Sequence, residues 1–229
     1  MARTVKTAII GCGTVGGATA RHLLDSTRLI RKRYGVEVEL AAVVDKRLDH
    51  ARTIGLPEAI LSDDLESVLS RNDIEIVIEL VGGIDVAFSI IKQALEAGKH
   101  VVTANKALLA HRGEELYAVA HECGVSIAFE ASCGGGIPIL RALYDGLAGN
   151  RIDAIYGIVN GTCNYILSEM IARSISYDVA LAEAQQAGLA EADPTLDVGG
   201  FDSAHKIAIM AALAFGVKLD YDQIPVEGI

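Results

Sequence analysis

The sequence predicts an α/β fold in which a parallel β-sheet, covered by helices on both faces, is followed by a smaller, partial α+β domain. Two observations support this prediction. Up to residue 129, short apolar runs alternate with amphipathic segments, which is the pattern of βα units in a parallel sheet. Beyond that point one apolar run is followed by several helical segments in succession. We therefore expect one domain over residues 1–135 and a second, catalytic domain over residues 136–229.

The composition excludes several classes of protein. With 229 residues, of which 51% are hydrophobic, the chain is long enough to bury a sizeable core. The formal net charge of −10 argues against binding to nucleic acid or to an anionic membrane surface, because phosphates would be repelled. No apolar run approaches the roughly 20 residues of a membrane-spanning helix. The four cysteines show no C-x-x-C spacing, which indicates thiols in a reducing compartment, so we expect a soluble cytoplasmic protein.

A glycine-rich turn lies between the first predicted strand, Val5–Ile10, and a helix that runs from about Val15 to Arg31. The turn fits G-x-G-x-x-G in the strand–turn–helix context that gives this motif its meaning. The first glycine permits the tight turn, the second lets a pyrophosphate approach the backbone, and the third allows close packing of helix and strand. The predicted cofactor-binding residues of this turn are Gly11, Gly13, Thr14, Val15 and Gly16.

The second predicted strand, Val38–Val44, ends at Asp45. An acidic residue at this position commonly binds the ribose hydroxyls of NAD. Lys46 and Arg47 follow directly, and a cation at this position could accommodate the 2′-phosphate of NADP. The choice between NAD and NADP therefore stays open, and a solvated carboxylate at the strand end is the alternative role for Asp45.

The alternation continues with predicted helices at 63–70, 85–97 and 114–123 and predicted strands at 74–80, 100–103 and 125–129. Because ligands bind at the carboxyl ends of parallel strands, the residues that follow these strands are candidates for the cofactor site. They include Gly82, Thr103 and Lys106. Lys106 could equally be a structural residue at a helix start. The whole pattern is that of a Rossmann-type, doubly wound sheet.

The composition changes at the glycine-rich loop Glu130–Pro138. Such a loop could turn its carbonyl oxygens inward to chelate a monovalent cation, or it could simply be the hinge between domains. Beyond it the sequence predicts a helix over 139–147 and a strand over Arg151–Val159, where apolar residues alternate. Further helices are predicted up to about residue 172 and over 177–187.

The stretch Glu191–Lys206 holds four carboxylates and one lysine. Asp202 and Lys206 are four residues apart on a predicted helix that begins after Phe201, so they share one face. A lysine among carboxylates suggests a polar pocket for a small cationic or zwitterionic substrate. The alternative is that Asp202 caps the helix and forms an ion pair with Lys206 at the surface.

Taken together, these motifs resemble homoserine dehydrogenase. The matching segments are Gly11–Gly16, Thr103–Lys106, Glu130–Pro138, Asn160–Tyr165 and Glu191–Lys206. They occur in the order of that family and span nearly the whole chain. The resemblance implies an NAD(P)-dependent interconversion of homoserine and aspartate 4-semialdehyde, on the route from aspartate to threonine and methionine. It also implies a homodimer whose second domain serves both catalysis and dimerisation.

The resemblance further implies roles for individual residues. Lys206 would take the proton from the C4 hydroxyl of homoserine, with Asp202 orienting it and Lys106 beside the nicotinamide. Glu191 and Asp197 would hold the substrate ammonium. The substrate pocket would also be lined by Gly161, Thr162 and Gly188. A monovalent cation such as Na⁺ would be bound by the backbone carbonyls of Glu130, Cys133, Gly135 and Ile137.

The chain also departs from the family, whose members continue well beyond residue 229, so that it resembles a fragment or a shortened form. One alternative function is therefore a nucleotide-binding fragment without turnover. Another is a cysteine-dependent semialdehyde dehydrogenase that uses Cys163 or Cys133, because both lie in polar, glycine-containing loops. That alternative requires a positioned histidine, and no histidine lies in a comparable motif.

Overall fold

The structure, a computed structural model, describes residues 2–218 and 220–229. It divides into two compact units, Met1–Ser132 and Cys133–Ile229. Each unit is described by itself below.

The described residues of the first unit form a six-stranded parallel sheet with the strand order β3-β2-β1-β4-β5-β6. The strands are β1 (Arg3–Ile10), β2 (Val36–Val44), β3 (Leu61–Ser62), β4 (Ile74–Glu79), β5 (His100–Thr103) and β6 (Ile127–Ala128). This order confirms the predicted Rossmann-type sheet. The winding reverses between β1 and β4, so the crevice in which such sheets bind dinucleotides lies at the carboxyl ends of these two strands.

Helices cover both faces of the sheet. They are α1 (Thr14–Tyr34), α2 (Asp49–Thr53), α3 (Leu65–Leu69), α4 (Asp85–Glu96) and α5 (Lys106–Cys123). Successive residues of β1 belong to different core layers: Ala8 and Ile10 lie in the cluster that contains Ile91, whereas Ile9 lies in the cluster that contains Ala20. Because both faces are buried there, the carboxyl-terminal parts of β1 and β2, residues 8–10 and 40–44, read as continuous apolar runs.

Helix α5 begins at Lys106, earlier than residue 114, where the sequence predicts its start. The interior glycine Gly113 interrupts the helical pattern, yet it is buried beside the ring of Tyr117. The helix begins at Lys106 because Asn105 caps it: the side-chain oxygen of Asn105 accepts a hydrogen bond from the backbone amide of Leu108 at 3.1 Å. An N-cap of this kind satisfies one of the amides that the first turn leaves without a partner.

The described residues of the second unit are mainly helical. Its helices are α6 (Ile139–Arg141), α7 (Gly161–Arg173), α8 (Tyr177–Gln186), α9 (Thr195–Val198) and α10 (Phe201–Phe215), and a π-helical turn (Ala142–Gly146) follows α6. Helices α7 and α8 pack through Ile166, Ala180 and Ala184, all fully buried. The small alanine side chains on α8 allow this close approach.

The prediction of a strand over Arg151–Val159 is wrong. This segment is irregular and forms no ladder with a strand among the described residues. A β-strand requires a neighbour that accepts and donates its backbone hydrogen bonds. The alternating side chains that would face a core are instead exposed, Tyr156 to 93% and Ile158 to 78%.

Two further features of the described residues bear on the predictions. No helix among them is both long and apolar enough to cross a membrane. The four cysteines are thiols, and none of them forms a disulfide within the described ranges. Cys12 and Cys133 are buried, whereas Cys123 is exposed.

Candidate active site

The glycine-rich turn after β1 has the geometry that its motif predicts. Gly11 has φ +96°, and a Cβ there would lie 2.6 Å from the carbonyl oxygen of Leu80. A Cβ on Gly16 would lie 1.9 Å from the carbonyl oxygen of Gly11, so glycine is needed for α1 to start close to β1. At Gly13 an added Cβ would meet no atom within 4 Å. Open space beside a helix N-terminus that has no acidic residue in its first turn is suited to a pyrophosphate.

Asp45 ties this turn to the end of β2. Its carboxylate accepts hydrogen bonds from the backbone amides of Cys12 at 2.7 Å and Arg47 at 2.9 Å. These bonds orient the carboxylate and leave acceptor capacity, because each carboxylate oxygen can accept more than one hydrogen bond. Thr14 and Val15, the first residues of α1, are exposed at the same end of the sheet.

A buried carboxylate that sequence reasoning missed joins the loops after β4 and β5. Glu79, the last residue of β4, is fully buried. It accepts hydrogen bonds from the backbone amides of Val81 at 2.8 Å and Gly82 at 3.3 Å and from the hydroxyl of Thr103 at 2.7 Å. The same hydroxyl accepts a hydrogen bond from the amide of Asn105 at 3.0 Å. The signal in the sequence was an acidic residue at the end of an otherwise largely apolar strand.

Lys106 is the first residue of α5 and is half-buried. Its backbone amide donates to the carbonyl of Ala104 at 3.0 Å, and the cap by Asn105 fixes the start of the helix. The predicted residues Gly82, Thr103 and Lys106 therefore lie at or just beyond the carboxyl ends of the adjacent strands β4 and β5. Lys106 belongs to the first unit and Lys206 to the second.

In the second unit, the side-chain amide of Asn160 joins two of the predicted carboxylates. Its nitrogen donates to Asp197 Oδ1 at 2.8 Å and to Asp202 Oδ2 at 2.7 Å. Its oxygen accepts a hydrogen bond from the amide of Cys163 at 2.8 Å and so caps α7. Asn160 and Asp202 are almost completely buried, 6% and 4% exposed. One side chain thus holds carboxylates that are 37 and 42 residues away in the sequence.

Lys206 is anchored beside this carboxylate pair. Its Nζ donates to Asp202 Oδ2 at 2.7 Å and to the backbone carbonyl of Val159 at 2.6 Å. The side chains of Lys206 and Asp202 are only 17% and 6% exposed, so this is not the solvated surface pair that the sequence also allowed. An ammonium group has three N–H donors, and these two acceptors take two of them.

The other predicted substrate residues surround the start of α7 and the end of α8. Gly161 opens α7, and the hydroxyl of Thr162 donates to the carbonyl of Leu189 at 2.7 Å. Gly188, with φ +71°, ends the turn that follows α8. Glu191 is exposed. The structure therefore brings Asn160, Asp197, Asp202 and Lys206 together by hydrogen bonds and leaves Glu191 on the exposed part of the loop.

The environment of Cys163 argues against a cysteine nucleophile. Its thiol donates to the carbonyl of Asp197 at 3.2 Å. Burial raises the pKa of the Cys163 thiol, and the nearby carboxylates of Asp197 and Asp202 raise it further. A nucleophilic cysteine needs the opposite shift, because the thiolate is the reactive form.

The glycine-rich loop after residue 132 is only partly available to a cation. The carbonyl of Ile137, one of the predicted ligands, accepts a hydrogen bond from the amide of Ile139 at 2.8 Å. No group of three or more His, Cys, Asp or Glu side chains within the described ranges could hold a metal ion. That finding concerns side chains, so a site of backbone carbonyls stays a prediction. Its other predicted ligands are Glu130, Cys133 and Gly135.

Two family models match the chain. The model described as "Homoserine dehydrogenase, NAD binding domain" matches residues 11–130, and the one described as "Homoserine dehydrogenase" matches residues 138–229. Together they leave only short segments of the chain without a match.

Curated relatives and solved structures carry the same name. Homoserine dehydrogenases from Synechocystis sp. and Neisseria gonorrhoeae are 46% and 45% identical over 99% of this chain, which covers 52% of each relative. The crystal structure of a homoserine dehydrogenase from Thiobacillus denitrificans gives a TM-score of 0.92 at 43% identity, over 99% of this chain and 52% of that one. The structure of a hyperthermophilic archaeal homoserine dehydrogenase in complex with NADPH gives a TM-score of 0.79 at 27% identity, over 93% of this chain and 70% of that one. The chain spans about half the length of the curated relatives it matches.

Proposed function

Because the chain belongs to the homoserine dehydrogenase family, we propose that it acts in the NAD(P)-dependent interconversion of L-homoserine and L-aspartate 4-semialdehyde. The observation that carries the proposal is the buried contact of Lys206 with Asp202, 2.7 Å from Nζ to Oδ2. It occurs in a chain that also has the open glycine turn of a dinucleotide site. Hydride transfer needs a cofactor, and proton transfer needs a positioned base.

Lys206 moves the proton of the C4 hydroxyl in this proposal. The Val159 carbonyl and Asp202 hold two of the positions on Nζ, and the remaining position is directed at the substrate oxygen. NAD(P), when held at the glycine-rich turn Gly11–Gly16, would supply the hydride acceptor for oxidation at C4 and the hydride donor for the reverse reaction. Asp202 keeps the lysine side chain from rotating away, and Asn160 keeps Asp202 in place.

Carboxylates bind the ammonium group of the substrate. Asp197 already points at the buried cluster through its contact with Asn160, and Glu191 is exposed and accessible to a ligand. Gly161, Thr162 and Gly188 line the remainder of the pocket. Lys106 contributes to the nicotinamide end of the cofactor site.

Replacing Glu191 with glutamine is expected to weaken homoserine binding about 10- to 100-fold, because a hydrogen bond to a charged group contributes roughly 1.5–3 kcal/mol. Cofactor affinity should stay the same. Both constants can be measured by isothermal titration calorimetry, with homoserine added to the cofactor-loaded chain. Glu169→Gln makes the same chemical change at a residue on α7 that pairs with Arg173, and it should bind homoserine normally. A loss of cofactor affinity alone would contradict the role of Glu191.

Alanine at two glycines of the turn is expected to separate folding from cofactor binding. Gly16→Ala forces a Cβ against the Gly11 carbonyl, so it should destabilise the chain by about 1–3 kcal/mol or more. Gly13→Ala meets no neighbour and has φ −77°, so the variant should melt like the parent. Its methyl group occupies the space reserved for the pyrophosphate, and cofactor affinity should fall at least about tenfold. Normal cofactor binding by a stable Gly13→Ala variant would contradict the proposed phosphate site.

The function itself is tested by mixing the chain with homoserine and NAD or NADP at alkaline pH and recording the near-ultraviolet absorbance of the reduced cofactor. The specific alternative is a nucleotide-binding fragment without turnover, in which the open glycine turn holds the cofactor and the Lys206 cluster does not act. Cofactor binding without any homoserine-dependent absorbance would support that alternative. Comparing the affinities of the chain for NAD and NADP gives its cofactor preference. A preference for NAD agrees with the role of Asp45, and a preference for NADP agrees with that of its basic neighbours.

The remaining parts of the proposal follow from membership of the family. They are a place in threonine and methionine biosynthesis, a cytoplasmic location and a homodimer. A monovalent cation on the carbonyls of the glycine-rich loop, including Cys133 and Gly135, belongs to the same set. The carbonyl oxygen of Ile137 already accepts one hydrogen bond, from the amide of Ile139, and would still have a second lone pair for such an ion.

A further inference from the structure

Glu79 is a fully buried carboxylate that the proposed chemistry does not use. Burying a carboxylate is costly unless hydrogen bonds compensate for its lost hydration. Here three donors converge on it, two backbone amides from the loop after β4 and the hydroxyl of Thr103 at the end of β5. The carboxylate therefore joins the ends of two adjacent strands.

The hydrogen bonds around Glu79 run in one fixed direction. Because the carboxylate accepts from the hydroxyl of Thr103, the oxygen of that hydroxyl is left to accept from the amide of Asn105. The side chain of Asn105 then donates to the carbonyl of Gly83 at 2.6 Å and caps α5 through Leu108. The network returns to the loop after β4 and so links both loops to the start of α5.

The loop after β4 depends on these bonds for its shape. Gly82 and Gly83 have φ +79° and +72°, a region that glycine enters without steric cost but does not prefer. The amide of Gly82 is held by Glu79 and the carbonyl of Gly83 by Asn105. Two flexible residues are thus fixed by side chains at both ends.

The position of this network decides what it could act on. A doubly wound sheet consists of two mononucleotide-binding halves that meet where the strand order reverses, here between β1 and β4. Asp45 follows β2 and belongs to the half expected to bind adenosine. The loops held by Glu79 follow β4 and β5, in the half expected to bind nicotinamide mononucleotide.

We propose that Glu79 is a positioning residue that holds the loops after β4 and β5 in the shape that binds the nicotinamide half of the cofactor. This inference rests on the proposed function, since it assumes that the chain binds NAD(P). Glu79 acts through the backbone of Gly82 and the hydroxyl of Thr103 and does not touch the cofactor itself.

The test compares ligands that share the adenosine half and differ in the nicotinamide half. Dissociation constants are measured by titration calorimetry for NADPH and adenosine 2′,5′-bisphosphate, or for NADH and AMP, according to the cofactor that the unchanged chain binds. Glu79→Gln replaces one acceptor oxygen by an NH₂ group, which is itself a donor. This NH₂ group then faces either the donating backbone amides or the donating hydroxyl of Thr103. We expect at least about tenfold weaker binding of the reduced cofactor and unchanged binding of the adenosine ligand. The matched control is Glu75→Gln, on the same strand, where the side chain pairs with Arg3.

A second pair of variants covers the case in which Glu79→Gln does not fold. Thr103→Val removes the hydroxyl link, and Thr103→Ser restores it. We expect the valine variant to lose affinity for the reduced cofactor selectively and the serine variant to recover it. The inference would be overturned if Glu79→Gln or Thr103→Val lost affinity equally for the reduced cofactor and the adenosine ligand. It would also be overturned if neither of these two variants lost affinity for the reduced cofactor. Both results would leave the proposed function intact. If the unchanged chain binds neither reduced cofactor, the proposed function and this inference are rejected together.

Discussion

Replacement of Lys206 by alanine is expected to lower the turnover of homoserine about 10²- to 10⁴-fold, the range typical of general acid–base groups. The reason lies in the anchoring of Nζ between the Val159 carbonyl and Asp202, which leaves one position for the substrate hydroxyl. Without the amine no other described contact of this cluster places a titratable nitrogen there. The rate of cofactor reduction at saturating homoserine measures the effect.

The Lys206→Arg variant distinguishes a role of Lys206 in proton transfer from a role of its positive charge alone. Lys206→Arg keeps a cation that can donate to both anchors, but an arginine is not deprotonated in proteins. Its turnover should therefore be almost as low as that of the alanine variant. Lys218→Ala, at an exposed position beyond α10, should behave like the parent. Substantial turnover in Lys206→Arg would mean that the lysine only binds or orients the substrate.

The fold of the first unit could be predicted because its determinants are local. Each central strand is buried on both faces and therefore appears in the sequence as an apolar run. The turn after β1 needs glycine for reasons that act within a few residues, such as the close approach of Gly16 to Gly11. The pairing of Asp202 with Lys206 follows from their spacing of four on one helix.

The parts that could not be predicted depend on contacts between distant residues. Asn160 directly precedes α7, but its two carboxylate partners lie 37 and 42 residues further along the chain. Glu79 is likewise joined to a threonine 24 residues away. The segment Arg151–Val159 shows the converse, because its alternation predicts a strand whereas strand formation needs a partner that alternation does not supply.

Asn160 is expected to be the residue on which the second unit depends most for stability. Its amide nitrogen lies within 2.8 Å of one oxygen of Asp197 and one oxygen of Asp202. Two carboxylates would otherwise repel each other in a buried site, where the effective dielectric constant is low. The amide supplies one N–H to each of them, and Lys206 adds a positive charge at the same oxygen of Asp202, Oδ2, that accepts from Asn160.

Asn160→Asp tests this role because it keeps the size of the side chain and the cap on Cys163, since a carboxylate oxygen also accepts from the amide. The change replaces the shared donor by a third carboxylate oxygen at hydrogen-bonding distance from the other two. We expect a loss of about 3–5 kcal/mol in the free energy of unfolding of the second unit, the range observed when one partner of a buried charged pair is removed. Chemical denaturation monitored by circular dichroism measures this free energy of unfolding. Faster hydrogen exchange of the backbone amides in α7 and α10 would show that the destabilisation lies in these helices.

Asn164→Asp is the matched control, with the same substitution one turn later on the exposed side of α7. Away from buried networks, a surface substitution usually changes stability by about 0.5 kcal/mol or less. The difference between the two variants therefore isolates the contact of Asn160 with the carboxylates from the added negative charge on the helix. Equal stabilities would show that Asn160 acts only as a helix cap. A large difference would show that the carboxylates, and through Asp202 the position of Lys206, depend on this one amide.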